Sequence, residues 1–196
     1  MDDLVKQALA KWPNVPHCYG WLGLDARGHW RMRDQQAQQQ QLPGDKIAHA
    51  ALLNFINRNY GQDERGCWFF QNGPQRVYVN LEATPYIARS DPRHGFMLQT
   101  GAPLAQVEQV YWCDNGALIL RHGDIVAQVD DRDMAQVLDA LRLDGQAASD
   151  DALLAWLADG QGQLTLSHAG QEIAVQALAY AKVAPTFGFQ PAPAGQ

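Results

Sequence analysis

"GCWFFQNGPQRVYVNLEATPY", residues 66–86, decides how the rest of the chain is read. Asn72-Gly73 is a strong hairpin signal, because both residues tolerate a positive φ. Two strands flank this turn, and in the second Val77, Val79 and Leu81 share one face and belong in a core. Arg76, Tyr78, Asn80 and Glu82 share the other, because successive side chains of a strand point to opposite sides of a sheet. The stretch therefore raises a question about four polar positions set in a row.

Working outward, the same grammar recurs. "HCYGWLGLDARGHWRMR" (17–33) reads as a hairpin turning at "DARG". Tyr19, Trp21, Leu22 and Leu24 lie on its first strand, and Trp30 and Met32 alternate with His29, Arg31 and Arg33 on the return. "GDKIAHAALLNFINRNYG" (44–61) reads as a helix with Asp45 as cap, Ile47, Ala51, Leu52, Phe55 and Ile56 as apolar face, and Gly61 as stop. Residues 3–12 suit a short helix, with Leu4, Val5, Ala8, Leu9 and Trp12 on one stripe and Pro13 beyond it. "DQQAQQQQLPG" (34–44) has no apolar anchor and reads as a surface loop.

Beyond residue 99 the plan repeats. "VYWCDNGALILRHGDIVAQV" (110–129) gives strands broken at Asp114-Asn115-Gly116 and at His122-Gly123. "DDRDMAQVLDALRL" (130–143) gives a helix, and Ser149 caps another in "SDDALLAWLADG" (149–160). "GQLTLSHAGQEIAVQALAYAKV" (162–183) gives a hairpin turning at Ala169-Gly170, with Ile173 and Val175 in the places of Val77 and Val79. Each half runs hairpin, helix, hairpin. The fold class expected is therefore α+β: two structurally similar antiparallel hairpin/helix/hairpin units packed together, with a short N-terminal helix. Residues 1–98 would hold the helix and the first unit, 99–189 the second, and 190–196 a flexible Pro/Ala/Gly-rich tail. Packed repeats favour ligand sites where they meet.

Composition narrows the function classes. The 196 residues are 46% hydrophobic and 18% charged, with a formal net charge of −6. A net acid gains no counterion release on nucleic acid and no attraction to an anionic membrane, so neither is expected as a partner. No apolar run approaches the length of a membrane span, and "MDDLVKQALAKW" lacks the basic start of a signal peptide. Cys18, Cys67 and Cys113 are odd in number and widely spaced, which reads as buried thiols in a reducing cytoplasm.

Chemistry-bearing motifs are sparse. Zinc needs closely paired thiolates or imidazoles, and no such pairs occur, so no metal site is expected. Arg65 beside Cys67 would lower a thiol pKa, but the apolar flank "CWFF" raises it, and no partner histidine is indicated. Asp130, Asp131 and Asp133 precede a helix and read as caps. No nucleophile, base and orienting group stand in a recognisable pattern, so an enzyme is not expected, and no motif indicates a cofactor. The candidate ligand residues are Arg76, Tyr78, Trp68 and Glu82. Arginine's planar fork suits phosphate or carboxylate, and Tyr78 or Trp68 would stack beside the anion. Otherwise the row is a solvated face with Arg76 bridging to an acid. Trp21, Trp30, Trp68, Phe69, Phe70 and Trp112 follow strand alternation and read as core.

At "NVPHCYGWLGLDARGHWRMRD" (14–34) and "YGQDERGCWFFQNGPQRVYVNLEATPYIA" (60–88) the chain resembles an uncharacterised proteobacterial domain-of-unknown-function family, over nearly its whole length. "LDARGHW", "WFFQNGPQRVYVNLEATPYIA" and "LQTGAPL" also follow, in order, the pattern of a second unknown-function family. That resemblance implies a duplicated core, a second half similar to a pleckstrin-homology barrel, and a ligand site where the halves meet. Asn72-Gly73-Pro74-Gln75 stands where that family has T-P-x-E, so its acid is absent here. The function expected is a small-molecule or nucleotide-type ligand-binding or regulatory module with its site between the halves. The alternative is a protein-interaction module, occupied by another protein or by a second copy of the chain.

Overall fold

The computed structural model describes residues 1–195 and divides into two units. The first comprises Met1–Pro85 and the stretch from Phe187 onward. It holds α1 (Asp3–Lys11), β1 (Cys18–Leu24), β2 (Trp30–Met32), α2 (Gln35–Gln39), β3 (Asp45–Lys46), α3 (Ala50–Arg58), β4 (Tyr60–Gln62), β5 (Trp68–Asn72) and β6 (Gln75–Leu81). Its sheet runs β3-β2-β1-β6-β5-β4. The hairpins β1–β2 and β5–β6 are antiparallel as expected, and they join through β1 and β6, which lie parallel. A parallel pair requires a long crossover, and the segment carrying α3 supplies it.

Local elements differ from expectation where long-range bonds compete. Asn72 pairs with Gln75, so the turn residues are Gly73 and Pro74 rather than Asn72 and Gly73. Gly73 takes the positive φ, +57°, that the first position of a II′-type turn demands. Asp45 does not cap a helix. Asp45 and Lys46 pair with β2, and the Ile47 N–H donates to the Trp30 carbonyl at 2.9 Å. α3 starts only after His49, whose Nδ1 accepts from the Leu52 N–H at 3.3 Å, and Gly61 joins β4 instead of ending the helix. The glutamine-rich segment folds as α2, because Asp34 accepts from the Ala37 N–H at 2.8 Å and Ala37 is buried.

The tail is also held. Phe189 and Pro193 are buried. The Gln190 N–H donates to the Gly66 carbonyl at 2.9 Å, and the Leu81 N–H to the Pro191 carbonyl at 2.8 Å. Gly66 permits this approach, since a Cβ there would come within 2.1 Å of the Gly188 oxygen. Through residue 195 the expected flexible tail is therefore tied to the first unit; Gln196 lies outside the described residues.

The second unit is Tyr86–Thr186. It contains β7 (Tyr86–Asp91), β8 (Gly95–Leu98), β9 (Pro103–Leu104), β10 (Gln109–Cys113), β11 (Leu118–His122), β12 (Ile125–Val129), α4 (Met134–Leu138), β13 (Leu141–Leu143), β14 (Gln146–Ala147), α5 (Asp150–Asp159), β15 (Leu164–His168) and β16 (Gln171–Leu178), with α6 (Val183–Phe187) where the chain passes back to the first unit. Ser149 caps α5, and Ala169-Gly170 makes the β15–β16 turn, both as expected. Within its ten-stranded sheet the run β12-β11-β10-β16-β15-β13 matches the first sheet in order and in direction, including the central parallel pair β10–β16. The unit begins at Tyr86 rather than at residue 99 because β7 pairs in parallel with β12, Tyr86 opposite Ala127. Its core is built on Val110, Leu118, Leu120, Leu141, Leu164 and Leu166, all buried.

Candidate functional site

The row Arg76, Tyr78, Asn80 and Glu82 is unevenly covered: Glu82 is exposed, Arg76 and Asn80 are half-buried, and Tyr78 is buried. Tyr78 is 1% accessible. Its cross-strand partner Phe69 lies on the same face and meets it edge-on at 5.9 Å. Tyr19 stacks flat against it, with ring centroids 4.6 Å apart. β1 is irregular between Cys18 and Leu22, in the stretch that contains Tyr19. His17 approaches the Tyr78 edge at 5.7 Å.

Asp63 organises the polar side of this stack. Its Oδ1 accepts from the backbone N–H groups of Arg65 and Cys67 at 3.0 and 2.9 Å. Its Oδ2 accepts from the Tyr78 hydroxyl at 2.9 Å and from the Arg65 guanidinium at 3.1 Å. Arg65 Nη2 in turn donates to the Tyr78 oxygen at 3.1 Å. Burial pushes the Asp63 carboxyl up, but the bonds from Cys67, Tyr78 and Arg65 outweigh it and hold the group below its ordinary value. Bonding to Tyr19, and then to Asp63 and Tyr78, raises the Arg65 guanidinium. Burial also raises the Tyr78 phenol and the Cys67 thiol; nearby Arg65 does not reverse the latter, so Cys67 is no activated nucleophile.

Beside this cluster opens a cleft of about 820 Å³ lined by His17, Tyr19, Asp63, Arg65, Arg76 and Tyr78, with Gln62, Glu64 and Gly195 completing it. Arg76 lies half-buried with its guanidinium 4.5 Å above the Phe69 ring. Among the described residues no carboxylate pairs with it, so the bridge to an acid does not form. Arg65, by contrast, is neutralised by Asp63 at 3.0 Å.

Of the four residues singled out from sequence, the cleft gathers Arg76 and Tyr78 only. Trp68 falls on the opposite face of β5, buried against Tyr60 at 4.8 Å. Glu82 accepts from the Ala26 N–H at 3.1 Å and lines, with Asn80, a separate cavity. Asp63, Arg65, Tyr19 and His17 were not foreseen. One signal existed: "DERGC" (63–67) repeats the "DARGH" (25–29) pattern. Asp25 accepts from the Arg27 and His29 N–H groups at 3.0 and 2.8 Å just as Asp63 does two and four residues on. An aspartate bonding its own backbone ahead is a turn device with a mechanism. Of the six aromatic residues read as core, Trp21 stands apart at 44% accessible; the other five are buried. Among the described residues no group of three or more His, Cys, Asp or Glu gathers to hold a metal, and no helix is long and apolar enough to cross a membrane.

A family model matches residues 1–194. The chain belongs to the DUF2944 family, "Protein of unknown function (DUF2946)". No curated protein matches it. Among solved structures it is similar to a DUF1285 family protein from Silicibacter pomeroyi DSS-3, at 14% identity and a TM-score of 0.48 over 90% of this chain and 96% of that one. It is also similar to a DUF1285 family protein from Shewanella baltica OS155, at 13% identity and a TM-score of 0.41 over 57% of this chain and 85% of that one. In this DUF2944 chain the cleft presents Arg76, a cation with no carboxylate partner among the described residues, a phenol fixed by an aspartate, and a half-buried aromatic face.

Proposed function

We propose that the first unit's cleft binds an anionic small molecule of nucleotide type, and that the chain serves as a ligand-binding, regulatory module. Arg76 carries this reading. Among the described residues it has no carboxylate partner; it is held half-buried over an aromatic ring, and its planar fork matches phosphate or carboxylate oxygens. Tyr78 is covered on its own face, so Tyr19 and His17 are the rings left to meet a base. The cleft's volume lies in the range of about 300–1,000 Å³ usual for small-molecule sites. All its lining residues belong to the first unit, so this reading no longer needs a site shared between halves.

The matching strand orders support a duplicated ancestral unit. Aligning the Gly73-Pro74 and Ala169-Gly170 turns sets Glu172 and Ala174 in the places of Arg76 and Tyr78. The second copy thus lacks the cation, and the site belongs to the first alone. All three cysteines are free, which fits a reducing cytoplasm.

Calorimetric titration of ADP, AMP and pyrophosphate into the full chain tests the reading. At least one should bind, and Arg76→Ala should weaken it by about ten- to a hundredfold, the equivalent of a charged hydrogen bond. Arg76→Lys should recover part of the loss. No binding by the wild type, or equal binding by Arg76→Ala, refutes the proposal.

A further inference from the structure

Gly23 sits in the middle of β1 with Asn80 of β6 opposite on one side and Arg31 of β2 on the other. Its φ is not left-handed, so the backbone does not require glycine there. A Cβ would meet the Asn80 carbonyl oxygen at 3.5 Å, Arg33 Cδ at 3.6 Å and Arg31 Cβ at 3.8 Å, all ordinary contacts. The missing side chain leaves a gap, and Gly23 lines a cavity of about 460 Å³ with Leu24, Leu42, Leu81 and Pro191 among its apolar walls.

Its polar groups are unequal. Asp25 and Arg31 satisfy each other at 2.8 Å and are structural. Arg33 spends its Nε on the Leu42 carbonyl at 3.1 Å and has no carboxylate partner among the described residues. The Asn80 Oδ1 is fully buried, with no surface open to a ligand. Glu82 adds a carboxylate at the exposed rim. A cation with no carboxylate partner among the described residues, a carboxylate at the rim and apolar walls complement a molecule with the opposite set.

We propose that this cavity is a second site, for a small zwitterion with an apolar body: a free α-amino acid with an aliphatic side chain. Its carboxylate lies on Arg33, its ammonium on Glu82, and its side chain over Gly23. No residue lines both this cavity and the first cleft, so the two readings stand or fall separately.

The test is calorimetric titration of the full chain with L-leucine, N-acetyl-L-leucine, which lacks the ammonium, and isoamylamine, which lacks the carboxylate. L-Leucine should bind the wild type, and each analogue at least tenfold more weakly. Gly23→Val fills the floor and Glu82→Gln removes the carboxylate; each should weaken L-leucine at least tenfold while circular dichroism shows the native fold. Nucleotide binding through Arg76 should be unchanged in both. The proposal is overturned if the wild type does not bind L-leucine at millimolar concentration, if both folded variants bind it like the wild type, or if N-acetyl-L-leucine binds equally well.

Discussion

Arg76 and Tyr78 stand two residues apart on one strand face, yet their fates diverge because of what covers them. Tyr78 is sealed by Tyr19 and Phe69, and its hydroxyl donates to Asp63, whereas Arg76 has no carboxylate partner among the described residues. The same balance of burial against bonding sets Asp130 in the second unit. Burial pushes its carboxyl up, but the side-chain and backbone bonds of Arg132 bring it from 3.8 down to about 2. The fold therefore favours the charged form. The stability this lends is complete above about pH 4 and disappears as pH falls through about 2, where the folded carboxylate itself protonates. Asp130→Asn should flatten the acid limb of the denaturation curve between about pH 4 and 2 while lowering stability at pH 7. An unchanged acid limb, followed by chemical denaturation at each pH, would remove Asp130 from the account.

Among elements, the turns decide register. Gly73-Pro74 suits its turn, with glycine at the position needing a positive φ. The corresponding turn is less well matched: Ala169 is held at φ +51° before Gly170 at +75°. A left-handed alanine costs about 1 kcal/mol, and Asn-Gly is the pair best suited to two positive φ values. Ala169→Asn should therefore stabilise the chain by about 0.5–1 kcal/mol, read as a higher urea midpoint with an unchanged slope. A lower midpoint would mean that the alanine methyl contributes packing that outweighs its strain.

At the scale of the whole molecule, the first unit is assembled from both ends of the chain. Its sheet is complete by Leu81, but the Leu81 N–H and the Gly66 carbonyl find their partners only in the returning segment. Phe189 and Pro193 bury with that segment. Truncation after Thr186 should expose the Leu81 amide to hydrogen exchange and destabilise the first unit by about 3 kcal/mol or more, the usual cost of removing one buried phenylalanine. Exchange within β10 and β11 should not change, since those strands take their bonds from their own unit. Protection at Leu81 that survives truncation would show the tail to be ornamental.

The amino-acid sequence by itself determined the hairpins, the short first helix, the Ser149-capped helix and the repeated order of elements. These follow from alternation, periodicity and turn chemistry, which act over a few residues. It also marked Arg76 and Tyr78 as neighbours, since a strand's period of two fixes which side chains share a face. Only the tertiary structure decided that β1 and β6 lie parallel, that Asp45 joins a strand instead of capping a helix, and that Trp68 turns away from the cleft. It alone brought Asp63, Arg65, Tyr19 and His17 to Tyr78, and divided one polar row between two cavities. The physical reason is distance along the chain: these outcomes depend on which remote strand supplies a backbone partner or covers a face, and no local pattern records that choice.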